Sequence, residues 1–71
     1  LRCMASPVVT WQLRKIGSRL RARRAELEVI GEQLMALDDG ADEEAMQRHR
    51  AFVLDEIKRL EAKQDALLDR M

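Results

Sequence analysis

The sequence is short of nearly everything that small folds use to staple themselves or to do chemistry. Its single cysteine, Cys3, cannot close an intramolecular disulfide, and with one histidine, His49, the thiol and imidazole ligands of a structural zinc site are too few. The same scarcity leaves no Ser-His-Asp or Cys-His arrangement, and there is no glycine-rich phosphate loop; the chain is expected to be no enzyme and to hold no metal or cofactor. One proline, three glycines and two aromatics, Trp11 and Phe52, leave little turn chemistry or sheet-type packing and match the composition of long helices. No strictly apolar run, Ala51 to Leu54 included, exceeds four residues, against the roughly 20 a membrane helix needs. No signal peptide is visible either, so the chain reads as soluble and cytoplasmic, with no membrane partner.

What is present is charge and periodicity. The 13 basic and 13 acidic side chains cancel, but they are segregated. Residues 1 to 24 carry seven basic and no acidic side chains, residues 25 to 44 eight acidic and no basic ones, and residues 45 to 71 six basic against five acidic. Met4-Ala5-Ser6 resembles a natural start, so residues 1–6 are read as a flexible segment ahead of the fold. Residues 7–71 then form a single helical hairpin: helix 1 over about 7–38, a turn at 39–41 and helix 2 over about 42–71.

Pro7 suits a first helical position and Ser6 a cap. From there Val9, Leu13, Ile16, Leu20, Arg23, Leu27, Ile30, Leu34 and Leu37 recur in steps of four and three, a heptad seam with leucine at each a position from Leu13 onward. The seam stops at Asp38-Asp39-Gly40-Ala41-Asp42, where Gly40 suits a left-handed helix end and Asp42 can cap the next helix. Helix 2 repeats the pattern through Met46, Arg50, Val53, Ile57, Leu60, Gln64, Leu67 and Met71. Two helices of about 45 Å joined by so short a turn must fold back on each other. The two seams also match layer by layer: Leu34 faces Met46, Ile30 faces Arg50, Leu27 faces Val53, Arg23 faces Ile57, Leu20 faces Leu60, Ile16 faces Gln64 and Leu13 faces Leu67. The expected fold is therefore an all-α antiparallel two-helix coiled coil, with Leu37 closing the core at the turn and Val9 and Met71 at the open end.

A chain of 71 residues has a core worth only about 3–5 kcal/mol, so outside help is expected. Leucine at a with isoleucine-type residues at d shifts parallel coiled coils toward three or four strands, which suggests a four-helix bundle of two hairpins. The flanking positions indicate how the second hairpin packs. Thr10, Gly17, Arg24 and Gly31 of helix 1 lie beside Leu54, Glu61 and Leu68 of helix 2, a strip poor in charge with two glycines that each cost about 1 kcal/mol inside a helix. The opposite side holds like-charge neighbours, Glu26 by Glu56 and Arg19 by Lys63. Head-to-tail stacking of two hairpins would bring acidic layers to basic ones.

Within the basic run, Arg14, Lys15 and Arg21 share an outward face and form the candidate surface for nucleic acid, whose binding would weaken steeply with salt. Arg23 in the seam has Glu26 and Glu56 near enough to pair with it. The off-seam Trp11 and Phe52 hint at contacts with another chain.

Two resemblances concern the turn and the second half. The acidic tip, Asp38, Asp39, Asp42, Glu43 and Glu44, is similar to that of the transcript-cleavage and secondary-channel factors of bacterial RNA polymerase, which implies tip carboxylates reaching a magnesium ion in a large enzyme. Residues 34 to 63 resemble in shape the dimerisation hairpin of MerR-type transcription regulators; they include no winged DNA-binding segment, so only the shape is implied. The favoured expectation is a non-enzymatic oligomerisation or protein-interaction module whose partner is itself or another helical protein. The alternatives are a small transcription-associated regulator on nucleic acid and an acidic-tip factor for RNA polymerase.

Overall fold

A computed structural model describes residues 6–38 and 42–70. Within them two helices, α1 (Pro7–Met35) and α2 (Glu43–Leu68), pack against each other, and no strand is found among the described residues. No helix is long and apolar enough to cross a membrane.

The helix starts follow from the sequence. Ser6 accepts a hydrogen bond from the Val9 amide at 3.1 Å ahead of Pro7, and the Asp42 carboxylate accepts one from the Ala45 amide at 2.9 Å. Each cap satisfies an amide that the helix leaves unpaired. Glu43 and Glu44 occupy the first turn of α2, where the helix dipole favours negative charge.

Both helices stop three residues short of the ends expected for them, α1 at Met35 instead of residue 38 and α2 at Leu68 instead of 71. Neither last turn carries a basic side chain to favour the negative end of its helix. The Ala36 amide donates to both Glu32 O and Gln33 O at 3.2 Å, and the Leu37 amide reaches Leu34 O at 3.5 Å, so the helix tightens as it ends. The expected turn, Gly40 included, and Met71 lie outside the described residues.

The core runs along the expected seam. Ile16, Leu20, Ile30, Val53, Ile57, Leu60 and Leu67 are buried, and Val9, Leu13, Leu27 and Leu34 pack partly buried against them. Leu37 and Met46 near the turn are half-buried. Coverage is greatest at mid-length, where Leu20 keeps 2% and Val53 1% of its surface exposed. The polar seam positions divide: Arg23 and Gln64 are half-buried, whereas Arg50, expected opposite Ile30, is exposed. A long side chain with a charged end can leave an apolar layer for water at little cost, and Arg50 makes no ion pair among the described residues that would hold it there.

Candidate interaction surfaces

The described part of the hairpin is thin, with Cα extents of 14 × 13 Å across its long axis, so most of its side chains lie on its flanks. The two flanks differ.

On the first lie the residues expected to meet a second hairpin. Gly17, Gly31, Leu54 and Glu61 are half-buried, while Thr10, Arg24 and Leu68 are exposed. A Cβ built on Gly17 or Gly31 would meet nothing within 4 Å. The hairpin alone gives no reason for glycine at either place. Arg24 and Glu61, the two charged members of the strip, pair across the helices with Arg24 Nη2 2.9 Å from Glu61 Oε2. The middle of the strip is thereby neutral, although an exposed pair of this kind contributes only about 0.2–1 kcal/mol.

The second flank is divided by charge along its length. Toward the turn, Glu26 and Glu56 are held by the seam residue Arg23. Its Nη1 lies 2.6 Å from Glu26 Oε1. Its Nε forms an ion pair with Glu56 Oε1, an oxygen shielded from solvent that is held by charge more than by an aligned hydrogen bond. His49 Nε2 approaches the other Glu26 oxygen at 3.1 Å. The hydrogen bond from Arg23 holds the Glu26 carboxyl below the usual carboxylate range, against the opposing effect of desolvation, with the charges of Arg23 and His49 adding to it. The Arg23 guanidinium is correspondingly more firmly protonated, chiefly through its hydrogen bond to Glu26 and then the charge of Glu56.

Toward the open end the same flank carries a cleft of about 390 Å³ floored by Ile16, Leu60 and Leu67 and rimmed by Trp11, Lys15, Arg19, Lys63 and Arg70. Lys15 Nζ sits 4.7 Å from the centre of the Trp11 ring, a cation–π contact. No aspartate or glutamate lines this cleft. Arg14, Lys15 and Arg21, the face expected to bind polyanions, are all exposed, and Lys15 also borders the cleft. The cleft was not legible as a unit because its cations come from both helices and meet only on folding. Its traces in the sequence are the facing Arg19 and Lys63 and the off-seam Trp11.

At the turn, Asp38, Asp42, Glu43 and Glu44 are exposed, and Asp39 lies outside the described residues. Asp42 is engaged as a cap, and Glu44 Oε1 pairs with Arg48 at 3.3 Å. Among the described residues no group of three or more histidine, cysteine or carboxylate side chains is placed to hold a metal ion. Phe52 and Trp11 are both exposed, off the seam.

The chain matches no protein-family model, and neither a curated protein nor a solved structure is similar to it.

Proposed function

We propose that this hairpin is a non-enzymatic self-association module that pairs with a second copy into a four-helix bundle through the strip of Thr10, Gly17, Arg24, Gly31, Leu54, Glu61 and Leu68. The observation that carries the reading is the open space over the two helix-interior glycines. Each costs its helix about 1 kcal/mol relative to alanine, and close approach of another helix, which a side chain there would prevent, offsets that cost. Half-buried Leu54 and half-exposed Leu68 flank them with apolar surface, and the Arg24–Glu61 pair leaves no net charge to bury between copies.

The test is the solution mass of the full chain by light scattering, together with its melting temperature across a range of concentrations. The expected result is a dimer whose melting temperature rises with concentration. Gly31→Leu, which the open space lets the single hairpin accept, should give a folded monomer. A wild-type monomer throughout the micromolar range overturns the reading.

A further inference from the structure

The two halves of the second flank face the same electrostatic problem and answer it differently. In the half near the turn, Glu26 and Glu56 approach from opposite helices and the seam supplies their counter-charge, Arg23. In the half near the open end, Arg19 and Lys63 border one cleft from opposite helices, and Lys15 and Arg70 add two more cations. Here the nearest seam residues are Ile16, Leu60 and Gln64, none of which carries charge. None of the four cations forms an ion pair among the described residues. Among the described residues no acidic side chain lines the cleft to relieve them.

The floor narrows what kind of anion fits. Ile16, Leu60 and Leu67 lie at the bottom, and Trp11 and Ala66 add apolar surface at the rim. A bare inorganic anion gains nothing from such a floor. A small amphiphile would stay mostly uncovered on so thin a rod, whereas binding pockets generally bury about 70–90% of a small ligand. A third helix laid along the groove between α1 and α2 meets both demands, setting apolar residues on the floor and carboxylates against the walls. Single-stranded nucleic acid would use the cations, but one tryptophan, already covered by Lys15, gives its bases a single stacking platform at most.

We propose that the open-end cleft is a docking groove for an acidic amphipathic helix of a partner polypeptide, gripped by Arg19 and Lys63 with Lys15 and Arg70 at its margins. The groove lies on the flank opposite the self-association strip and does not depend on it.

The probe is a labelled synthetic helical peptide of about 18 residues, with leucines spaced along one face and glutamates beside them. Its binding to the full chain is followed by fluorescence anisotropy, with helicity and solution mass recorded on the same samples. The expected result is saturable binding that weakens with salt. Combined Arg19→Glu and Lys63→Glu replacement should weaken it by about ten-fold or more, since two attractive contacts become repulsive. A peptide with lysine in place of glutamate should prefer that variant over the wild type. If the double reversal impairs folding, Arg19→Gln with Lys63→Gln, which only removes like-charge repulsion, should lower affinity while keeping helicity. The proposal is overturned if the acidic peptide fails to bind folded wild type, if the reversed or neutralised chain binds it as well as wild type, or if oligothymidylate of about 16 nucleotides binds the cleft more tightly than the peptide. A mass that rises by the bound peptide alone, with the number of chains per particle unchanged, separates this outcome from the fate of the self-association reading.

Discussion

Replacing Gly31 with alanine should act in opposite directions on the two levels of structure. In a single hairpin the added methyl meets nothing within 4 Å, so it brings no clash and no useful contact, and only the backbone term remains. That term favours alanine by about 1 kcal/mol within a helix, through the lower entropy of the unfolded chain. For a domain this small the gain corresponds to a rise in melting temperature of about 4–8 °C. Where a second helix lies against position 31, the same methyl holds the backbones apart and weakens association, once for each copy. The assay is thermal unfolding by circular dichroism from the lowest measurable concentration upward, with light scattering alongside. The variant should melt higher than wild type when dilute and lose that advantage as concentration rises. A uniform gain at every concentration, with both proteins monomeric, refutes the link between the glycines and a second chain. A loss at high dilution refutes the claim that the space over Gly31 is open.

Leu20→Ala removes one of the two best-covered side chains and should cost about 2–5 kcal/mol, enough to abolish most helical circular dichroism in dilute solution. Asp42→Ala deletes the cap of α2 and should cost about 1 kcal/mol, visible as a lower denaturation midpoint, while Asp42→Asn should retain most of the stability. Acidification should destabilise the hairpin in part through Glu26. Its carboxyl is held below the ordinary value in the folded state, so its contribution is fully present above the unfolded carboxylate range and is lost as pH falls through the folded pKa. Melting temperature against pH should therefore show a shallower acid limb for Glu26→Gln than for wild type. Arg23→Met leaves Glu26 and Glu56 without their counter-charge and should destabilise more at pH 7 than at pH 4, an order checked by denaturant titration at the two values.

The periodic features were the ones that could be read in advance. A step of four and three is a direct record of which side of a helix faces a partner. The buried set accordingly lies within the expected seam. Helix ends were less legible because they depend on a balance of a few tenths of a kcal/mol per residue between continuing and stopping. Arg50 falls on the seam by spacing, but its side chain is long enough to leave it for water. The Arg23 cluster was anticipated from spacing, yet the approach of His49 to Glu26 required the two helices to be set side by side. The open-end cleft required the same.

Coverage that peaks near the midpoint, at Leu20 and Val53, and falls away toward both extremities has a kinetic consequence. Such a rod frays from its tips inward, so amide protons at the extremities exchange first and those around the central levels last.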